Sequence, residues 1–379
     1  MKSLKISREA ARIARGYSRK PKIIIFGSHS AIETDAAAKM FGFQTILIAE
    51  KGREKLYTVH CPWLFDEIIV LEKFSDLLNA EIQDHLIAEN GIFIPNRSFT
   101  TYVPVELIKE KFRVPIFGSR QLFDIEEQRE LQRRLLKKAG VMTPRVFKRP
   151  EKIDVLAMVK LHHARKKVER GFFRVSSTAD YYAKADLLKK RGVITEEDLK
   201  HAEIQEYVIG APFNSDAHVH ALKDVFGNFS FVGFSDRIQS NRKGLLNLLA
   251  REQLEIDLID TTIEVGHTGQ TMRESLKIQA FEALANFIEA CRKYYPPGMI
   301  GMCSLQGALT ETNGEIFYVF FDISPRVAGD PIIGPTSPEM RVLSLKFAKF
   351  GIKIEDPLDL TMYEIWKAFE LGRLEEAVT

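Results

Sequence analysis

The sequence predicts an α/β protein, with a parallel sheet first and a second, two-lobed module after it. Three observations carry this. Apolar runs at Lys22–Phe26 (KIIIF), Gln44–Ala49 (QTILIA), Glu67–Leu71 (EIIVL) and Gly91–Pro95 (GIFIP) alternate with helical stretches, as in a sheet buried on both faces. Gly140 closes a charged helix over Ile125–Ala139, and Val141-Met142-Thr143-Pro144 begins a new strand, so a boundary falls there. Near the end, Met302–Leu309 and Ile316–Ile323 flank a turn over Thr310–Glu315 containing Asn313-Gly314, which reads as a β-hairpin.

The chain has 379 residues, enough for two or three domains. Apolar residues make up 45% and charged residues 28%, an ordinary globular balance. A net charge of +3 is too weak to argue for nucleic acid. Cys61, Cys291 and Cys303 have neither metal-type spacing nor an even count, which fits a reducing, cytoplasmic setting. No apolar run is long enough to span a bilayer. The basic stretch 1–20 lacks an apolar signal core and reads as an amphipathic helical arm.

Two loops lie at strand ends, where ligands of parallel sheets bind. Gly27-Ser28-His29-Ser30 follows the first strand, and Pro95-Asn96-Arg97-Ser98-Phe99 follows a later one. Small residues and free amides at a helix start can cradle a phosphate. Ser98 and Arg97 could also reach a phosphate or ribose; equally, Ser28 and Ser98 can simply cap helices, with His29 on the surface.

In the second module, Lys160 ends an apolar strand, Val155–Leu161. A lysine there is costly unless it is paired, meets an anion, or lies on an edge and reaches solvent. The basic stretch from His162 to Phe173 joins two strands, where a lid over phosphates would sit; a solvated charged turn is the plainer reading. Ile204–Ile209 is a strand in which Glu206-Tyr207-Val208 reads either as an inter-lobe hinge facing adenine or as a plain edge. Glu264–Ser275 is a polar loop before a helix over Leu276–Tyr294. On the hairpin, Gln306 and Asp322 offer hard oxygen ligands, with Arg326 just beyond. That set suits magnesium carrying a nucleoside triphosphate, although an amphipathic hairpin with a polar end has the same pattern.

Taken in order, these features resemble the ATP-grasp superfamily, and within it the archaeal PurP family of formate-dependent synthetases. The residues that carry the resemblance are Gly27–Ser30, Pro95–Phe99, Pro115–Arg120, Val159-Lys160, Gly171–Phe173, Lys189–Leu199 and Glu206–Gly210. Ser240–Leu245, Arg251–Glu255, Arg273–Ser275, Pro296–Gly301 and Leu305-Gln306 continue it. The resemblance implies a Rossmann-like pre-ATP-grasp sheet over 21–124, a small ATP-grasp lobe with a phosphate lid over 125–205, and a large lobe over 206–379. It implies ATP and Mg2+ as cofactors, a small carboxylate such as formate and a purine-pathway ribonucleotide as substrates, and a homo-oligomer. By the same carry-over His29, Ser30, Ser98 and Gln270 would bind the ribonucleotide. Lys160, Lys166, Lys167, Glu206, Tyr207 and Val208 would bind ATP. Gln306 and Asp322 would hold magnesium, and Arg326 with Lys160 would act on the transferred phosphoryl group.

Departures from the family pattern collect where ligands would bind. Most lid glycines are replaced, by Lys166 and Lys167 among others; Asn96 and Arg97 stand for a histidine and a glycine; Gln270 stands for an asparagine, Asp322 for a glutamate, and Ala328 for an acidic residue. The sequence therefore leaves three readings: a formate-using ligase, a ligase with another acid or amine, and a nucleotide-binding relative with weakened catalysis.

Overall fold

The computed structural model describes residues 2–161, 172–239, 244–256, 264–328 and 337–379. Helix α1 (Lys2–Arg15) precedes β1 (Lys22–Phe26), α2 (Ala31–Met40), β2 (Thr45–Glu50), β3 (Glu67–Leu71), α3 (Ala80–Ala88), β4 (Gly91–Ile94), α4 (Arg97–Tyr102) and α5 (Val105–Lys111). These four strands pair in parallel in the order β3-β2-β1-β4. Their alternate residues serve two cores. Ile24, Phe26, Ile46, Ile48 and Phe93 pack with Phe99 and Phe112, while Ile23, Ile25, Leu47 and Ile94 face the other side. The chain leaves β1 in one direction and returns to it with β4. A crevice for ligands opens at such a reversal, outside the carboxyl ends of the strands. Loops 27–30 and 95–96 leave those two strand ends.

The second module begins with α6 (Phe123–Glu127) and α7 (Arg129–Lys138). The single helix expected over Ile125–Ala139 is broken at Gln128, whose backbone is extended at φ −110° and ψ 101°. The strand expected at Val141–Pro144 is an irregular segment, although Met142 O accepts from Phe320 N at 2.9 Å. A small antiparallel sheet follows: β5 (Val146–Phe147), β6 (Ala157–Lys160), β7 (Phe172–Val175) and β8 (Glu203–Glu206), in the order β5-β8-β6-β7. Helices α8 (Thr178–Lys190) and α9 (Glu196–Lys200) join this lobe; Tyr181, Ala185 and Leu188 of α8 pack on Val159, Phe173 and Ile204.

The large sheet has the order β11-β10-β9-β12-β13 and is antiparallel throughout. Its elements are β9 (Ala211–Val219), α10 (Lys223–Phe226), β10 (Phe229–Gln239), α11 (Ala250–Glu255), β11 (Glu264–Gln270), α12 (Glu274–Tyr294), β12 (Gly301–Thr312) and β13 (Glu315–Ser324). Asn313 and Gly314 both have positive φ, 55° and 82°, so the hairpin closes in a two-residue turn. The strands consequently run past the expected turn bounds almost to its tip. Side chains alternate across this sheet. Ala217, Val219, Cys303, Leu305 and Ile323 pack on Ala280, Leu284 and Phe287 of α12. The opposite face carries Asn214, Asp216, Ser304, Gln306 and Asp322, aligned by the strand register.

Helices α13 (Pro338–Ala348) and α14 (Pro357–Glu370) return the chain to the first unit. Leu358, Met362, Ile365 and Val378 share a core with Ile23, Ile25 and Leu47. Thr379 and Ile116 exchange backbone hydrogen bonds at 2.9 and 3.2 Å. Arg120 lies fully buried beside this closure and donates to the carbonyls of Ile108 at 2.7 Å, Phe112 at 2.5 Å and Thr379 at 2.7 Å. Helix α1 is docked as well, with Ala10 and Ala14 buried and Arg15 Nε 3.0 Å from Glu375. Arg120→Leu would strand these carbonyls without a donor. We expect a loss of about 3 kcal/mol, read as a lower denaturant midpoint at unchanged slope.

Candidate active site

The first part of the site is built at the ends of β1 and β4. Gly27 N donates to Ile48 O at 2.8 Å, and a Cβ at Gly27 would lie 2.8 Å from the same oxygen, so a larger residue would displace the strand. The Asn96 amide donates to Phe26 O at 3.1 Å and His29 O at 3.2 Å, and its oxygen caps α4 at Phe99 N. Asn96 thus ties the two loops together from within. Ser28 Oγ and Ser98 Oγ lie 2.5 Å apart, and His29 Nδ1 is 3.1 Å from Ser30 Oγ. Ser30 adopts a left-handed conformation (φ 66°) and donates to Ala328 O at 3.3 Å. Val327 N donates to Pro95 O at 3.2 Å. The structure therefore brings Ser30 and the turn at Pro95-Asn96 against the segment that follows Asp322, with His29 and Ser98 on the same two loops. The imidazole of His29 is exposed.

The second part is the polar face of the large sheet. Gln306 and Asp322 are directly opposed across the hairpin, where a bulge follows Gln306. Asp322 Oδ1 accepts from Gln132 Nε2 at 2.7 Å and from Ile323 N at 3.0 Å. Gln306 accepts from Arg237 and donates to Ser324 Oγ at 3.1 Å. Lys160 reaches this place from the small sheet: its Nζ lies 5.7 Å from the ring centroid of Phe321, next to Asp322. A narrow cleft is lined by Lys160, Arg129, Gln132, Glu203, Phe320 and Phe321.

Electrostatics couples the two sides. Burial, and then the nearby Arg129, push the Lys160 ammonium down to about 8, while Asp322 and Glu203 act to raise it. Burial works against the Asp322 carboxylate, but Arg129, Lys160, Arg237 and the Gln132 hydrogen bond hold it below its usual range. Arg326, largely buried, pairs with Glu126 and donates to Val327 O at 3.2 Å. Arg97 shares Glu126 at 3.4 Å and holds Glu127 at 2.5 Å. Arg97, Glu126 and Arg326 thus bridge the loop cluster to the cleft.

The remaining expectations fare differently. The strand expected over Ile204–Ile209 stops at Glu206. Glu206 pairs with Arg145 Nε at 3.0 Å, and Tyr207 N donates to Leu156 O at 2.9 Å. Tyr207, Val208 and their two successors are the short connection between the small and large sheets, and Gly210 is required there because a Cβ would come within 2.3 Å of Leu309 O. Lys166 and Lys167 lie outside the described residues. Gln270 requires a correction. Residues 264–270 form an edge strand, not a loop, because their backbone pairs with β10. Gln270 stands opposite Phe234, in the row of Ser215, Leu305 and Ile323, one residue off the row of Asn214, Gln306 and Asp322. Its amide, oriented to satisfy both contacts, reaches the carbonyls of Ser235 and Pro212 at 3.2 and 3.3 Å.

Several functional candidates went unrecognised in the sequence: Arg129, Gln132, Glu126 and Arg237. Gln132 had a readable signal, since it sits on the buried stripe of α7 with Leu135 and Leu136. Asn214 and Asp216 belong to a period-two polar pattern in FNSDAHVH, which marks a strand with one polar buried face.

A parallel α/β unit whose loops meet a basic, carboxylate-bearing cleft between a small and a large antiparallel sheet is an ATP-grasp protein. Solved structures agree on this fold. A PurP protein of IMP biosynthesis from Thermococcus kodakaraensis superposes with TM-score 0.68 at 22% identity, covering 94% of this chain and 100% of that one. An ADP complex of N5-carboxyaminoimidazole ribonucleotide synthetase gives 0.56 at 14%, covering 89% and 78%. The biotin carboxylase ATP-analogue complex from Campylobacter jejuni gives 0.53 at 13%, covering 91% and 70%.

The chain belongs to the family of 5-formaminoimidazole-4-carboxamide-1-β-D-ribofuranosyl 5′-monophosphate synthetases. The Methanothermobacter thermautotrophicus member is 38% identical over 322 residues, 85% of this chain and 86% of its own. The Methanopyrus kandleri member is 35% identical over 358 residues, 94% of each. Two family models match, a domain of unknown function (DUF1297) over residues 180–379 and a protein of unknown function (DUF1246) over 23–147.

Asp322→Asn removes the anion that raises the Lys160 pKa. Lys160 should then titrate below about 8, measured by the pH dependence of its acylation, followed by peptide mass spectrometry.

Proposed function

We propose that this protein is an ATP-dependent carbon–nitrogen ligase that joins formate to the amine of a purine-pathway ribonucleotide of the aminoimidazole carboxamide type. One observation supports the reading: Lys160 of the small sheet lies 5.7 Å from the ring of Phe321, the neighbour of Asp322, and Gln132, which lines the cleft with Lys160, donates to Asp322 at 2.7 Å. The chain Asp322–Arg97–Glu126–Arg326 then leads from that cleft to the loops of His29 and Ser98. An ATP site and a ribonucleotide site are thereby contiguous, as transfer of an activated acyl group requires.

Each residue has a role in this scheme. Lys160 holds the triphosphate as a cation in a dry setting, where its charge acts strongly. Tyr207 and Val208, on the connection between lobes, offer backbone groups to the adenine, except that the Tyr207 N–H is already taken by Leu156. Asp322 and Gln306 would hold a magnesium ion, which keeps several waters and phosphate oxygens and so needs few protein ligands; Arg237, which donates to the Gln306 oxygen, would have to give way to it. When bound, that ion would neutralise charge on the transferring phosphoryl group. Arg326 faces the same charge from the substrate side. The γ-phosphoryl moves to a carboxylate oxygen of the acid, and ADP leaves. The ribonucleotide amine, positioned by His29, Ser30 and Ser98, attacks the acyl carbon, inorganic phosphate departs, and the amine loses a proton.

A second reading keeps the chemistry and changes the acid. It is favoured by Ala328, an apolar residue in the segment that meets Ser30, where the family resemblance implies an acidic one.

Incubation with ATP, magnesium, formate and the aminoimidazole carboxamide ribonucleotide should yield ADP and the formamido product in equal amounts. ADP formed only with another acid supports the second reading, and nucleotide binding without turnover with any acid defeats both. Because Lys160 must carry its proton to hold phosphate, kcat/KM for ATP should fall as pH rises through about 8. His29→Ala should raise KM for the ribonucleotide about tenfold while KM for ATP moves less than about twofold. Equal changes would remove His29 from the ribonucleotide site.

A further inference from the structure

We propose that His218, His220 and Glu364 form a second, structural metal site for a divalent transition ion of the zinc type. It lies at the far end of β9 from the cleft. His218 is four residues beyond Asn214, about 13 Å along an extended strand.

The two histidines are two residues apart and present their rings on the same side of β9 and its exit. Glu364 reaches them from α14. Its Oε2 is 2.8 Å from His218 Nε2 and 3.1 Å from His220 Nδ1. All three donor atoms lie within 4.8 Å of one another. The side chains are 0%, 2% and 1% exposed, so water supplies little solvation for the carboxylate.

The surrounding contacts are those that orient metal-ligating imidazoles. The distal nitrogen of each ring has its own hydroxyl partner: His218 Nδ1 meets Thr361 Oγ1 at 3.3 Å, and His220 Nε2 meets Ser230 Oγ at 2.9 Å. Such outer contacts fix which nitrogen points inward. The second carboxylate oxygen, Oε1, is occupied by Leu222 N at 2.9 Å, which turns Oε2 toward the rings. Phe117 stacks on His218 and Phe226 lies against His220, which closes the pocket with apolar surface.

Charge supports an ion. Among the described residues, no lysine or arginine forms an ion pair with Glu364; its partners are the two imidazoles. The two imidazoles and the Leu222 amide hold the carboxylate as an anion aimed at the ring nitrogens, the form that binds a cation. Two imidazole nitrogens and one carboxylate oxygen select a zinc-like ion over magnesium or calcium, which prefer oxygen alone. Bound there, the ion would pin α14 to the strand whose other end carries Asn214.

The test uses the untagged full chain grown with zinc and purified without chelator. Elemental analysis should find about one zinc per chain. Removing it should lower the melting temperature, with recovery on adding zinc but not magnesium. Cobalt in its place should give the visible absorption of a low-coordinate ion, the three protein ligands completed by one water. Glu364→Gln keeps the shape but loses the anion, and its zinc content should fall to below about 0.1 per chain; Asp322→Ala should keep it. A zinc-free protein whose melting is indifferent to zinc overturns the proposal, leaving a proton-mediated tie. So does zinc that persists in Glu364→Gln. If that variant does not fold, the zinc content and cobalt spectrum of the unaltered chain decide alone. None of these readouts depends on ligase activity.

Discussion

The Asp322 carboxylate sits beside three cations on three different elements: Arg129 on α7, Lys160 on β6 and Arg237 on β10. Like charges brought together in a low dielectric repel one another, and an anion among them relieves that repulsion. Gln132 completes the arrangement by donating to the same carboxylate. The small lobe, the linking helix and the large sheet therefore converge on one acidic group. Remove that group and, near Lys160, only Glu203 is left to offset the clustered positive charge.

This constraint explains the layout around it. The bulge after Gln306 places Phe321 out of register, so its ring can meet Lys160 while Asp322 still faces Gln306. The segment after Asp322 then runs across the top of the parallel sheet. Val327 pairs with Pro95 and Ala328 meets Ser30, so the loops at the β1/β4 reversal and the cleft are continuous. Helices α13 and α14 bring the chain back beneath the first sheet, where Leu358, Met362 and Ile365 complete its core. The first unit is thus buried partly by the last.

Much of this was legible from residue patterns. KIIIF, EIIVL and GIFIP announced buried parallel strands because runs without polar residues suit a sheet covered on both faces. Asn313-Gly314 announced the hairpin because both residues tolerate positive φ. What escaped notice depended on long-range partners. Residues 264–270 are polar and rich in glycine, and only the free edge of β10 makes them a strand. Gln128 breaks a charged helix that has no local breaker: its backbone is extended between α6 and α7. Arg97 was readable as a cation able to reach a phosphate, but its pairing with Glu126 and Glu127 was not.

The sequence by itself determined the order of strands and helices, the hairpin, and the residue types able to grip a triphosphate. These follow from local preferences and from hydrophobic periodicity, which neighbouring residues encode. Only the tertiary structure decided which polar side chains share a cavity. That choice depends on which strand pairs with which, and one residue of register turned Gln270 into the row of Leu305 while Asn214 stayed in the row of Asp322.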